Sequence, residues 1–371
     1  MRLSREELLA LHRDLVATPS VSGDEVAIVS WLLAFLQDRG LTTERVGGSL
    51  VAWTGKAPVK GGLESVALVV LNTHVDTVPL APGWTREPFQ PASEAGKVFG
   101  LGANDAKAAV AAMTAAFLAV AEVDLPFTLA LTLVRGEETK SVGTAEIVAE
   151  FARREIEPAM AVVGEPTGLD LAVAQKGLLV LELVARGEAA HAAHARTLSA
   201  RNAIVALARD IAAIAVLPEG PVDPYLGRAT VEPTVVSGGS ARNVVPAEAR
   251  AVLDCRTVPA EPPAALLARL RAAVESEVVV LSDRLVPVAT DPESALVAAA
   301  LRARPMARLY GSATLSDLTF FRGIPALKVG PGQSERSHRP DEFVLEDEIV
   351  AGAEFYERLL LELAAAMGGT A

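Results

Sequence analysis

The 371 residues are long for one domain, so two are expected. Hydrophobic residues make up 51% and aromatics only 4%, so Ala, Val and Leu must fill sizeable cores. A formal charge of −12 argues against a nucleic-acid or anionic-membrane partner, because phosphate contacts need clustered Lys and Arg.

The N-terminal stretch Met1–His12 carries charges at helical spacing and no apolar core segment, so it does not read as a signal peptide. No stretch reaches the ~18 uninterrupted apolar residues of a membrane span. The single cysteine, Cys255, excludes an internal disulfide framework and fits a reducing compartment, so a cytoplasmic location is expected.

Residues 4–18 and 24–39 read as amphipathic helices, the second capped by Ser22 or Asp24 and ended by Gly40. Residues 41–54 read as strand, turn, strand. Ser65–Leu71 is almost wholly apolar and β-branched, the pattern of a strand buried on both faces. Residues 80–98 read as a Pro-rich loop. A helix starts near Asp105 and runs to about Val123, followed by a strand Phe127–Val134, a helix 142–154 and a strand Ala159–Val163. This alternation predicts a largely parallel sheet covered by helices.

The pattern changes after Lys176. Leu178–Val184 alternates as a half-buried strand, and a helix Ser199–Val216, strands Ala229–Ser237 and Ala249–Arg256, and a helix Pro263–Glu277 follow. These suit a small α+β layer with an antiparallel sheet. Near Pro287 the earlier character returns, with a helix 292–303, a Ser/Thr-rich turn at 311–316, a strand Ala326–Val329, the turn Gly330-Pro-Gly332 and a last helix from about 346. The fold class is therefore α/β: a catalytic domain of residues 1–175 and 286–371, interrupted by an α+β domain at 176–285.

Buried strands end in potential metal ligands: His74, Glu137 or Glu138, Glu165, and His338 just past the Gly330-Pro-Gly332 turn. Asp105 sits at a helix N-terminus, where the helix dipole favours its ionised form. Singly each has a plain reading. Asp105 can cap a helix, Glu138 can be a surface charge, and Glu165 a turn residue before Pro166. In open α/β sheets, however, ligands collect at the carboxyl ends of strands. Two His and three carboxylates suit a pair of borderline divalent cations such as Zn²⁺. One member of the Glu pair can then ligate while its neighbour stays free as a proton carrier. Asp76, placed just after His74, can orient a metal-bound imidazole.

The segments Thr73-His-Val-Asp-Thr-Val-Pro79, Gly100-Leu-Gly-Ala-Asn-Asp-Ala-Lys107, Gly136-Glu-Glu138, Gly164-Glu-Pro-Thr167, Gly238-Gly-Ser-Ala-Arg-Asn-Val-Val-Pro246 and Gly330-Pro-Gly…His338-Arg-Pro-Asp-Glu342 resemble those of the dinuclear-zinc amidohydrolases of the acetylornithine deacetylase, succinyl-diaminopimelate desuccinylase and aminoacylase family, the M20 metallopeptidase group. They occur in the family order and span the chain. The resemblance implies a zinc-peptidase-like catalytic domain, an inserted lid and dimerisation domain, and two Zn²⁺ per chain with Co²⁺ as a substitute. One metal is expected on His74, Asp105 and Glu165, the other on Asp105, Glu138 and His338, with Asp105 bridging. Asp76 is expected to orient His74, and Glu137 to be the general acid/base. His191 matches the family His that reaches toward the scissile carbonyl, typically from the partner subunit of a homodimer, as an oxyanion stabiliser. Asn243 and Arg256 are expected to hold substrate, the guanidinium gripping an α-carboxylate.

Alternatives stand beside these. His194 competes with His191, Asp254 can pair structurally with Arg256, and Asn243 can cap a turn. Cys255 reads as a core residue, His12 as a helix-surface residue, and Arg242 and Lys107 as solvated charges or structural ion pairs. Two departures matter. Ala106-Lys-Ala108 replaces the usual Met-Lys-Gly after the bridging Asp, suggesting altered packing, and Gly136 replaces a frequent Asp, suggesting a missing supporting hydrogen bond.

Trp84-Thr-Arg-Glu-Pro-Phe89 and the C-terminal motif are similar to the acetylornithine deacetylase branch. Gln175-Lys-Gly-Leu-Leu179 stands where the desuccinylase branch carries Arg-Arg-Gly-Ser. The implied function is hydrolysis of the amide bond of an N-acyl amino acid in amino-acid biosynthesis. N2-acetylornithine, of arginine biosynthesis, comes first, with acetylcitrulline and acetyl-lysine next. The other readings are a desuccinylase, a dipeptidase or aminopeptidase, and a degenerate binding or scaffold member. The presence of every ligand position and the base argues against the last. A dinucleotide-binding protein would need a Gly-x-Gly-x-x-Gly turn, which Val46-Gly-Gly-Ser49 does not supply.

Overall fold

The β-branched run Ala67–His74 forms a strand buried along almost its whole length in the middle of a mixed sheet whose central strands run parallel. A computed structural model describes residues 1–55 and 67–368. Ser65 and Val66, read as the start of this strand, lie outside the described residues. The strand runs on past Leu71 to His74 because its polar residues are satisfied inside the core. Thr73 Oγ1 donates to the Gly164 carbonyl at 3.0 Å, and Asn72 Oδ1 accepts from Thr132 Oγ1 at 2.7 Å.

In the first of two units, the described parts of Met1–Val173, Thr290–Tyr310 and Ser316–Ala371 fold together. Ala67–His74 pairs in parallel with Phe127–Val134 on one side and Pro158–Val163 on the other. Ala326–Lys328 continues the parallel set. The hairpin Thr42–Val46 and Ser49–Trp53 adds an antiparallel edge. The helix Lys107–Val120 is buried along nearly all its length, its alanines allowing close approach to the helices Arg5–Ala17 and Glu346–Ala366. It starts at Lys107, just after Asp105. The helix Val26–Gln37 is capped by neither Ser22 nor Asp24; Glu25 holds the cap position, and Ser22 Oγ is committed to Asp76. The stretch read as a loop holds a hairpin, Ala92–Glu94 and Lys97–Phe99, to which Phe343–Leu345 adds a third strand.

The second unit, Ala174–Ala289 with Gly311–Leu315, contains an antiparallel sheet in the order Thr230–Gly238, Glu248–Thr257, Gly177–Arg186, Glu277–Leu285. Glu248–Thr257 alternates half-buried and buried residues along its length, as a sheet with one core face requires. That face packs Leu181, Leu183, Leu253 and Cys255 with Leu207 and Leu266 of the helices Ala203–Ala215 and Pro263–Ala273. The first helix begins at Asn202, whose side chain caps it, rather than at Ser199. The second ends at Ala273, and the strand Glu277–Leu285 was not read from sequence.

Candidate functional site

Parallel pairing in register brings the strand ends together. His74 lies opposite Val134, so the turn holding Glu137 and Glu138 opens beside it, while Glu165 follows the neighbouring strand. His74 is 1% exposed. Its Nδ1 lies 3.0 Å from the Asp76 carbonyl and 3.6 Å from Asp76 Oδ1. Its Nε2 lies 3.2 Å from Asp105 Oδ1 and 3.9 Å from Glu165 Oε1. Asp105 Oδ2 is 3.7 Å from His338 Nε2, which is 3.0 Å from Glu138 Oε1. Asp105 therefore stands between the two imidazoles with one oxygen toward each. His74, Glu137 and Glu165 place ligand atoms within 4.8 Å of one another, as do His74, Asp105 and Glu138.

The buried Asp76 organises the centre. Its Oδ1 accepts from the Glu137 N–H at 3.0 Å, and its Oδ2 accepts from the Glu138 N–H at 3.2 Å and from Ser22 Oγ at 2.7 Å. The turn expected to lack a support is thus held from the end of the neighbouring parallel strand. Gly136 adopts φ 67°, where a Cβ would come within 2.9 Å of Val142 Cγ2.

The electrostatics call for added positive charge. Burial, then the charge of Glu165, pushes the Glu137 carboxyl well above its usual range. Burial lifts Glu165 to about 8, against the pull of Lys328. Burial works against a charged His74, yet its hydrogen bonds to Asp105 and Asp76 raise it well above an ordinary imidazole. The hydrogen bond to Glu138 raises His338 to about 9. More carboxylates crowd here than the two imidazoles can neutralise. That imbalance, with this mixed N/O donor set, fits a pair of divalent cations.

His191, Asn243 and Arg256 belong to the second unit. His191 is exposed and its Nδ1 accepts from the Ala193 N–H at 3.2 Å, with the His194 ring 5.7 Å away. Asn243 is exposed, and its carbonyl accepts from the Ala192 N–H at 2.9 Å. Arg256 holds Asp254 through both Nε, at 2.8 Å, and Nη2, at 3.2 Å, so its fork is occupied by the structural partner.

Two residues read as superficial are internal. His12 is fully buried with Nε2 2.8 Å from the Ala103 carbonyl, because its helix packs that face against the Gly100–Lys107 segment. Lys107 is also fully buried. Its Nζ donates to the Thr18 carbonyl at 2.9 Å, and burial lowers its pKa to about 7, with Glu342 and Asp76 opposing. Sequence reasoning gave no role to Glu342, inside the C-terminal motif, or to Asp317. Asp317 accepts from Thr144 Oγ1 at 2.6 Å and Asn72 Nδ2 at 3.3 Å behind the strand end.

The model of the family described as Peptidase family M20/M25/M40 matches residues 70–362. A probable carboxypeptidase of Aspergillus terreus (strain NIH 2624 / FGSC A1156) is 33% identical over 280 residues, 70% of this chain but 62% of the relative, so the match spans less than two thirds of that protein. The acetylornithine deacetylase of Proteus mirabilis (strain HI4320) is 26% identical over 377 residues, 93% of each chain. Among solved structures, the aminopeptidase PepT from Bacillus cereus ATCC 10987 matches with a TM-score of 0.76 and 22% identity, over 98% of this chain and 99% of that one.

Proposed function

The chain belongs to peptidase family M20/M25/M40 and is a metallo-hydrolase, and from that premise we propose that it cleaves the amide bond of an N-acyl amino acid, N2-acetylornithine first, with acetylcitrulline and acetyl-lysine next. The observation that carries this reading is the Glu137–Glu138 turn held by Asp76 beside the His74 and His338 imidazoles and the Asp105 and Glu165 carboxylates.

In this reading His74, Asp105 and Glu165 hold one divalent cation and Asp105, Glu138 and His338 the other, zinc by preference and cobalt as substitute. When bound, the cations polarise the amide carbonyl and lower the pKa of water from 15.7 to about 7. Glu137 takes a proton from the attacking water and delivers it to the departing amine nitrogen as the C–N bond breaks. Asp76 fixes the imidazole of His74 and the backbone of the base together. By motif position, His191 serves as oxyanion stabiliser, and Asn243 and Arg256 grip the substrate carboxylate, Arg256 exchanging Asp254 for it.

Two copies are expected to associate through the second unit. The edge strand Thr230–Gly238 leaves Val235 56% and Val236 62% exposed, next to no paired neighbour on that side of the sheet among the described residues. No helix among the described residues is long and apolar enough to cross a membrane.

A carboxypeptidase is the second reading, favoured by the Aspergillus relative. Both reactions release an amino acid with a free α-carboxylate, and they differ in what lies on the acyl side. The test is hydrolysis by chelator-stripped protein reloaded with Zn²⁺ or Co²⁺, on N2-acetylornithine, N-acetylcitrulline, N2-acetyl-lysine, N-succinyl-diaminopimelate and dipeptides. Metal-dependent acetate release from one acetyl amino acid is expected. Turnover of peptides alone would install the second reading, and silence in protein carrying no metal would reject both.

A further inference from the structure

Glu342 is 3% exposed. Its carboxylate gathers backbone N–H groups from the turn that ends in Asp105. Oε1 accepts from Asn104 at 2.8 Å and from Asp105 at 2.9 Å, and Oε2 accepts from Gly102 at 3.2 Å. Its own carbonyl accepts from the Gly100 N–H at 3.0 Å. The residues after it, Phe343–Leu345, pair with Lys97–Phe99, so the carboxylate is anchored on both sides of the turn.

A second link runs between the same two segments. Asn104 Oδ1 accepts from the Gln333 N–H at 2.9 Å, and its Nδ2 donates to the Gln333 carbonyl at 3.0 Å and to Ser337 Oγ at 3.1 Å. Ser337 precedes His338. The turn that carries Asp105 is therefore tied to the segment that carries His338, by Glu342 and by Asn104. Asp105 and His338 face each other across 3.7 Å, His338 Nε2 to Asp105 Oδ2. Asp341, adjacent to Glu342, points elsewhere and accepts from the Thr85 and Arg86 N–H groups at 2.9 and 3.2 Å.

We propose that Glu342 is a positioning residue for the metal centre: by collecting the Asn104 and Asp105 N–H groups it fixes the Asp105 carboxylate between His74 and His338. The inference rests on the ligand assignment made above. It acts through geometry, because backbone donors hold the carboxylate and no ligand side chain does. Supporting groups of this kind affect metal affinity or activity by about 10–100-fold when altered.

The variants Glu342→Gln, Glu342→Asp and Glu342→Ala distinguish this from a general packing role. Gln keeps an oxygen at the Oε1 position, and with it both bonds to Asn104 and Asp105; its amide faces only the Gly102 N–H, the longest of the three bonds and the one farthest from Asp105 along the turn. Asp keeps the charge but withdraws the acceptor by one methylene. Zn²⁺ affinity by titration calorimetry and the Co²⁺ visible absorption spectrum are measured on full-length stripped protein, with Asp341→Asn as the control. Affinity within about threefold of wild type is expected for Gln and for the control. A loss of about 10–100-fold and an altered Co²⁺ spectrum are expected for Asp, and for Ala where it folds. Wild-type affinity and spectrum in the Asp variant, whatever its melting temperature, would overturn the inference. So would a larger loss for Gln than for Asp, which would make charge the operative property. Wild-type protein that takes up no metal would instead overturn the functional reading beneath it.

Discussion

The N–H of Glu137 donates to Oδ1 of Asp76 at 3.0 Å, so the residue behind the His74 imidazole also holds the backbone of the expected base. One buried carboxylate thereby couples the proposed ligand His74 to the proposed proton carrier Glu137. Burial opposes its charge, but the bonds from His74, Ser22 and the Glu137 N–H hold its pKa below the usual carboxylate value. Asp76→Asn keeps one acceptor oxygen and turns an amide toward a backbone donor. We expect kcat/KM to fall by about 10–100-fold together with weaker metal binding. Asp76→Ala leaves buried donors unmatched, which costs about 1–3 kcal/mol each and should lower the urea midpoint as well. Normal metal affinity and kcat/KM in both variants would refute the coupling.

Removing the proton carrier should separate chemistry from metal binding. Glu137→Gln is expected to lower kcat by about 10²–10⁴-fold with an unchanged count of bound metal per chain. Metal analysis beside steady-state kinetics checks this. Metal lost in proportion to activity would make Glu137 a ligand, the role open to it in the grouping with His74 and Glu165.

Acid stability should report on His12. Burial holds this imidazole at about 4, against about 6.5 in an unfolded chain. Between those values the unfolded state binds the proton and the folded state does not. The contribution is therefore fully present above about pH 6.5 and is lost as pH falls toward 4, by about 2–3 kcal/mol at pH 4.5. His12→Gln preserves a donor for the Ala103 carbonyl and removes the titration. Urea midpoints at pH 7 and 4.5 should therefore converge more in the variant than in wild type. An equal acid shift in both would place His12 in solvent.

The edge strand of the second unit offers a test of association. Val236 is 62% exposed, so Val236→Lys should change stability by no more than about 0.5 kcal/mol in an isolated chain. If two copies meet there, sedimentation should show dimer for wild type and monomer for the variant. A dimer of unchanged strength would move the interface elsewhere.

Much of the α/β class and of the centre was legible because both depend on local patterns. Apolar runs of β-branched residues mark parallel strands, and a polar residue where such a run stops marks the sheet edge at which ligands gather. His74, the Glu137–Glu138 pair, Glu165 and His338 stand out that way, and the choice of Glu138 as the ligand of the pair came from the family resemblance. Glu342, Lys107 and His12 do not, because their roles are set by what the chain places around them from far away. A buried lysine answered by the Thr18 carbonyl has the same one-letter code as a solvated one. The hairpin Ala92–Glu94 and Lys97–Phe99 escaped for another reason: strands of three residues show no periodicity to read.

The pairing of Glu342 with Asp105 spans 237 positions of sequence. During synthesis at about 5–20 residues per second, the Asp105 turn leaves the ribosome about 12–50 seconds before the carboxylate that collects its N–H groups. Throughout that interval His74, Asp76, Asp105 and the Glu137–Glu138 pair exist without their last imidazole and without their clamp. On the proposed ligand assignment, capture of metal by the complete set therefore waits until His338 and Glu342 have been made. A chain cut between Glu165 and His338 would carry the carboxylates of the proposed site but lack both the last imidazole and the clamp.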